Sequence, residues 1–388
     1  MLHLPGTFMH YLAVKLRLSI VLAAMFGSTA AFALDAPPPL SRLEREHFTV
    51  SGLSSGAAMA VQMGVAHSSR VRGIGILSGP PYLCAQGFVT KATNECLTIG
   101  QTWLRELFGP LFGRSLFSSG ERDIEVQDLI GDTVKLARQN RIDPVSGMAG
   151  QRIWEYRGSE DRVVGSKAST AQHTFFLHFG GLVVRGEPRA TPHTLPTADP
   201  AQGACDATDK DYVSGCDFDA AGSLLRSLHR KPRAKADDGV GRWYAVKQGE
   251  HVPPAPGLSD ATLARRSIGL AEEARVFVPD VCNEERCRVH VALHGCEQGM
   301  SDDAYRAFAE HGGYVNWAGP LRLVLIFPRV EAIKPLERGQ WDSVGNPMGC
   351  WDWWGYTTPG DLYGYATRDA PQIRTLINMV DRLGRMAE

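Results

Sequence analysis

Residues Phe48-Thr49-Val50-Ser51-Gly52-Leu53-Ser54-Ser55-Gly56-Ala57-Ala58-Met59-Ala60 set Gly-x-Ser-x-Gly between a β-branched run and a run of small helix formers. Few short patterns constrain a chain more. A serine on a tight strand-to-helix turn has its hydroxyl pushed clear of the sheet, and the flanking glycines let strand and helix approach closely. Thr49 and Val50 are strand formers, and Ala57 to Met63 continue without glycine or proline until Gly64. Ser54 is therefore the candidate nucleophile of a nucleophile elbow. The bland reading of the same residues is a glycine-rich turn whose serines cap a helix, so the rest of a catalytic apparatus must be sought elsewhere in the chain.

With 388 residues, 44% of them hydrophobic, and a formal net charge of -1, the chain can bury a large core. It shows no basic excess that would draw nucleic acid. Lys15 and Arg17 precede an apolar run from Leu18 to Phe32 that ends in Ala31-Phe32-Ala33. That is the pattern of a signal peptide, residues 1–33, cut after Ala33. At about fifteen residues the run falls short of the ~20 needed to cross a bilayer, so no stable membrane insertion is expected. The exported protein is expected in a periplasm or outside the cell, where disulfides persist. Near neighbours among the eight cysteines suggest Cys84 with Cys96, Cys205 with Cys216 and Cys282 with Cys287, leaving Cys296 for Cys350. A zinc site is disfavoured because no C-x-x-C spacing occurs. Neither a metal nor a cofactor is expected.

Val71–Ser78, Gln151–Tyr156, Arg275–Val278, Arg288–Leu293 and Leu321–Phe327 read as strands, and Val126–Gln139, Ala220–His229 and Pro371–Leu383 as helices. Such alternation predicts an α/β fold, a mostly parallel sheet flanked by helices, with active residues on loops at the strand carboxyl ends. Residues 34–388 are expected to form a single domain, and the polar, proline-bearing stretch Arg230–Asp260 to be a surface excursion between two halves.

A serine nucleophile needs a base and an acid to orient it, and in α/β hydrolases these follow the serine in the order acid, histidine. The turn Arg157-Gly158-Ser159-Glu160-Asp161 comes just beyond a strand, which makes Asp161 the first choice of acid and Glu160 the second. His193, framed by Pro192 and Pro196, is the best base, whereas His173 and His178 lie in an apolar stretch and are expected to pack or stay exposed. The N–H of Ser55 would supply one oxyanion donor. The other normally comes from an HG-type loop upstream of the elbow. Here the only such loop is Leu293-His294-Gly295-Cys296, far downstream, with the Cys296 N–H as donor and His294 as a loop-shaping residue. That order points to a circularly permuted α/β-hydrolase, in which the strands that usually open the sheet close the chain.

Taken together, Gly52-Leu53-Ser54-Ser55-Gly56, Gly79-Pro80-Pro81-Tyr82-Leu83-Cys84, Pro192-His193-Thr194-Leu195-Pro196-Thr197, Leu293-His294-Gly295-Cys296 and Asn346-Pro347-Met348-Gly349-Cys350-Trp351-Asp352-Trp353-Trp354-Gly355-Tyr356 resemble the secreted poly(3-hydroxybutyrate) depolymerases, more narrowly those with a circularly permuted catalytic domain. The resemblance implies a triad of Ser54, Asp161 and His193 and an oxyanion hole at Ser55 and Cys296. It also implies aromatic residues along a crevice for a polyester strand. Trp351, Trp353, Trp354 and Tyr356 suit that task, although a run with alternating directions lets only one or two of them touch substrate. Many members carry a separate polymer-binding domain, and none is expected here after the terminal helix. The function so implied is a monomeric serine esterase acting on poly(3-hydroxybutyrate), related short-chain polyhydroxyalkanoates or their oligomers. A feruloyl or acetyl esterase of plant polysaccharide and an inactive polymer- or granule-binding protein are the rival readings.

Overall fold

Leu323-Val324-Leu325-Ile326-Phe327 is buried at all five positions, the mark of a strand covered on both faces, as in a parallel sheet between helix layers. The computed structural model describes residues 34–98, 123–207, 211–231, 233–254, 260–333 and 345–385; the expected leader, residues 1–33, lies outside them. In chain order the strands are β1 (Leu43–Leu53), β2 (Val71–Leu77), β3 (Arg152–Tyr156), β4 (Leu182–Arg185), β5 (Leu195–Thr197), β6 (Gly203–Ala204), β7 (Val213–Gly215), β8 (Gly241–Lys247), β9 (Glu273–Pro279), β10 (Cys287–Leu293) and β11 (Leu323–Phe327). Eight of them build one sheet in the order β4-β3-β2-β1-β10-β11-β9-β8, while β5, β7 and β6 form a small second sheet. All neighbours in the large sheet are parallel except β11 with β9 and β9 with β8.

The longer helices are α1 (Ser55–Ala66), α2 (Val126–Arg138), α3 (Ser166–His178), α4 (Ala220–Leu228) and α5 (Pro371–Arg382). Alternation along each strand divides the core between two faces. Val50, Ile74, Ile76, Val289, Val291, Val324 and Ile326 pack with α1, α2, α3 and α5. Leu323, Leu325, Phe327 and Ala292 face α4 and the segment around Phe308 and Trp317. All twelve residues of α1 are buried, which its small side chains allow: a helix apolar all round belongs in a core.

The chain enters at the middle of the sheet with β1 and works outward through β2 to β4. It then crosses to the far edge at β8 and returns, inserting β10 beside β1. The C-terminal end of α5 meets the start of β1: the Leu40 N–H donates to the Gly384 carbonyl at 2.7 Å, and Arg45 Nε to the Leu383 carbonyl at 2.8 Å. This is the α/β-hydrolase layout with its usual opening strands placed last.

One expectation needs correction. The stretch 230–260 is no simple surface excursion, since it contains β8, the edge strand of the main sheet. Trp243 packs on Phe277 and Phe327 on one face, while Tyr244 and Val246 rest on the other core. An edge strand buries each face only in part, so charged residues such as Arg242 break the alternation that would have revealed it.

All eight cysteines are paired: Cys84–Cys96, Cys205–Cys216, Cys282–Cys287 and Cys296–Cys350. Four disulfides fit an oxidising compartment outside the cytosol. Among the described residues no helix is long and apolar enough to cross a membrane.

A Cβ added at Gly56 would lie 2.2 Å from the Leu293 carbonyl oxygen and 2.4 Å from that of His294, whereas one at Gly131 in α2 would meet nothing within 4 Å. Gly56→Ala is therefore expected to cost about 2–3 kcal/mol or more through overpacking against rigid backbone, and Gly131→Ala to be neutral or stabilising by up to about 1 kcal/mol. Thermal denaturation of the two variants beside the parent checks the contrast.

Candidate active site

The turn between β1 and α1 holds Ser54 at φ 57°, ψ −120°, a backbone conformation that a non-glycine residue adopts only when its surroundings enforce it. They do so here from both sides. The Ser54 N–H donates to the Leu77 carbonyl at the end of β2, and the Ser54 carbonyl accepts the first bond of α1, from the Ala58 N–H. The next N–H, that of Ser55, is at the first position of α1, where a helix leaves its donors unpaired.

On the neighbouring strand, β10 runs into His294-Gly295-Cys296. His294 is wholly buried, and its Nε2 accepts from the Val330 N–H at 3.1 Å, so its Nδ1 carries the proton and donates to the Gly295 carbonyl at 2.6 Å. Burial pushes its pKa down to about 4, which keeps the ring neutral. It shapes the loop. The Gly295 N–H donates to Gln298 Oε1, the Gln298 amide reaches the Asp211 carbonyl, and the Cys296–Cys350 disulfide ties the loop to the tryptophan-rich segment. Among the described residues the N–H groups of Ser55 and Cys296 have no acceptor.

The acid loop follows β3. Asp161 is buried, and its Oδ2 accepts from His193 Nδ1 at 2.9 Å. Its Oδ1 accepts from the N–H groups of Val163 and Val164, and the Ser78 hydroxyl donates to the same carboxylate. Burial alone would raise its pKa, but these bonds, that from His193 foremost, hold it below the ordinary carboxylate value. Glu160 is exposed and takes no part. His193 sits just before β5, and Tyr156 on β3 bonds Thr191 at 2.7 Å, which fixes the histidine loop against the acid loop. With Nδ1 given to Asp161, Nε2 is the ring nitrogen left for proton exchange.

Ser54 and His193 line one cavity of about 330 Å³, together with Val163, Tyr212, Cys296, Met348, Trp353 and Trp354 and the Val89–Leu97 region. Two of the expected aromatic contacts are corrected. Trp351 is fully buried, with Nε1 on the His294 carbonyl, and Tyr356 is buried with its hydroxyl on the Cys350 carbonyl. Neither lines the cavity: the segment bends and turns here, and these hydrogen bonds hold both side chains in the core. Trp353 and Trp354 remain on the wall, stacked edge to face at 5.8 Å. Sequence reasoning missed Asp352, whose buried carboxylate gathers the N–H groups of Trp354, Gly355, Tyr356 and Thr357 and so sets the direction of each aromatic ring. An aspartate inside a tryptophan run was the available signal. Ser78 and Tyr212 were also missed, for neither belongs to a motif. His173 pairs with the buried Glu155 and His178 is exposed.

No family model matches the chain. Over 353 residues the chain is 28% identical to the poly(3-hydroxybutyrate) depolymerase of Delftia acidovorans, covering 89% of this chain and 61% of that one. It is 27% identical over 347 residues to the polyhydroxybutyrate depolymerase of Talaromyces funiculosus, covering 87% and 91%. Along most of its length the chain is thus similar to poly(3-hydroxybutyrate) depolymerases. Its fold is shared with the crystal structure of the PHB depolymerase from Penicillium funiculosum, at a TM-score of 0.69, and with a PHB depolymerase complexed with an R3HB trimer, at 0.67. Both are 23% identical to it and cover 91% of this chain and 100% of theirs. The chain spans 61% of the length of the Delftia relative.

The Asp161–His193 pair has a pH signature. A carboxyl whose folded pKa is depressed adds stability above its unfolded value, near about 4, and loses it as pH falls through the folded value. Asp161→Asn should therefore be less stable than the parent at neutral pH, with the gap closing below about pH 4. Denaturant midpoints of both proteins from pH 7 downward measure it; a gap that stays constant would deny Asp161 this role.

Proposed function

We propose that the protein is a serine esterase that hydrolyses poly(3-hydroxybutyrate), related short-chain polyhydroxyalkanoates or their oligomers through an acyl-enzyme. The observation that carries the reading is the pairing of a buried Asp161–His193 couple with a strained serine on one apolar cavity. His193 Nε2 takes the Ser54 proton as Oγ attacks the ester carbonyl. Asp161 keeps the imidazole in the right tautomer and stabilises the imidazolium. The N–H groups of Ser55 and Cys296 receive the oxyanion, each worth about 3–4 kcal/mol of barrier. The imidazolium then protonates the leaving hydroxyl, and a water deprotonated by His193 releases the acyl group.

The cavity wall suits the polymer named in the relatives' descriptions. Val89, Leu97, Val163, Met348, Trp353 and Trp354 offer apolar surface to methyl-bearing units, and no charged side chain other than the catalytic pair's own region is needed to hold a neutral ester. The indole N–H of Trp354 is buried without an acceptor among the described residues, a donor suited to an ester oxygen. Residues 1–33 are read as a cleaved leader, which places the mature protein in a periplasm or outside the cell. The N-terminus determined by mass spectrometry on the exported protein should be Leu34.

A fluorophosphonate probe should label the parent at Ser54. Ser54→Ala should abolish labelling and lower ester hydrolysis by roughly 10⁴-fold or more. His193→Ala should fall comparably, since the members of such a triad act as a unit. Clearing of an amorphous poly(3-hydroxybutyrate) emulsion, run beside feruloylated arabinoxylan, tests the substrate: release of ferulate alone would move the site to plant polysaccharide esters. Absence of labelling and of both hydrolyses would leave a binding protein.

A further inference from the structure

At the end of the sheet opposite Ser54, the amino ends of the parallel strands enclose a second cavity of about 230 Å³. Arg72 on β2, Arg152 on β3 and Arg288 on β10 line it, with His47 and Thr49 on β1 and His229 directly after α4. In a chain of net charge -1 this is a concentrated positive spot. Its one carboxylate, Glu44, is bonded to Arg286 outside the cavity wall.

None of the three guanidinium groups has a carboxylate partner among the described residues. Arg72 donates to His47 Nε2 at 2.5 Å, Arg152 donates to the Leu228 carbonyl, and the Arg288 side chain bonds to nothing described. Burial, followed by the charges of Arg230, Arg288 and Arg72, lowers the pKa of Arg152, the electrostatic mark of cations crowded without a counter-charge. His229 is 6% exposed; its Nε2 meets Thr49 Oγ1 at 3.2 Å, and its Nδ1 is buried with no partner. Like charges held together in partly dry surroundings repel strongly, and an unpaired buried ring nitrogen adds to the cost. Planar guanidinium forks match the oxygens of phosphate and carboxylate, and an anion would relieve the repulsion.

We propose that this cavity binds a small oxyanion, inorganic phosphate or the carboxylate of a short hydroxyacid, at a site separate from the ester-cleaving cavity. Thr49 lies on β1 and Ser54 directly after its last residue, five positions on and roughly 16 Å away at a strand's rise, so an anion here does not obstruct a substrate at Ser54. The volume admits a phosphate or a four-carbon hydroxyacid and excludes a polymer.

The full mature chain, titrated calorimetrically at low ionic strength with inorganic phosphate and, separately, with 3-hydroxybutyrate, gives the test. Saturable binding of one equivalent is expected, and the tighter of the two ligands identifies the source. Arg288→Gln and Arg72→Gln should each weaken it roughly ten- to hundredfold, while ester hydrolysis and the melting temperature without ligand stay unchanged or rise. Arg288→Lys, which keeps the charge and loses the fork, should fall between and guards against a folding artefact. Absence of saturable binding of either anion up to about 10 mM, or equal affinity in both glutamine variants, would overturn the site whether or not the esterase reading holds.

Discussion

The bare backbone of Gly56 against the carbonyls of Leu293 and His294 is the contact on which the rest of the site depends. It lets α1 begin directly beside the end of β10, bringing the Ser55 N–H and the Cys296 loop to the same edge of the sheet. These two elements are some 240 residues apart in the chain and adjacent in register, with Gly52 opposite Leu293. A methyl group at Gly56 would separate them before any catalytic side chain was considered.

Two buried aspartates do the remaining positioning, and by the same physics. Burial disfavours the charge of each, and multiple donors restore it: Asp161 is held by His193, Ser78 and two backbone N–H groups, Asp352 by four backbone N–H groups and the Thr357 hydroxyl. For Asp161 the donors win and its pKa falls; for Asp352, wholly enclosed, burial wins and its pKa rises. Asp161 orients the His193 ring, whereas Asp352 organises a loop. The disulfide between Cys296 and Cys350 ties that loop covalently to the His294-Gly295-Cys296 turn.

The order of the chain has a physical corollary. The end of α5 lies where β1 begins, with Leu40 bonded to Gly384, so sheet pairing does not depend on a covalent link between them. With β1 ahead of the other strands in chain order, the elbow precedes the loops of Asp161, His193 and Cys296, and the edge strands β8 and β9 are added across the far side.

The amino-acid sequence alone determined the elbow, the parallel α/β sheet, the permuted order and the segments holding Ser54, Asp161 and His193, since each is written as a local pattern: alternating apolar residues, glycines about a serine, an acid just past a strand. It also limited how many of the aromatic residues at 351–356 could share one face, but not which. Only the tertiary structure decided that Trp353 and Trp354 face the cavity while Trp351 and Tyr356 are core, because that choice is made by the donors around Asp352. Likewise β8 was hidden by its half-buried edge position, and Ser78, Tyr212 and the arginine-lined cavity are assembled from single residues of different strands. Such convergence is a property of register between distant segments, and no local window of sequence contains it.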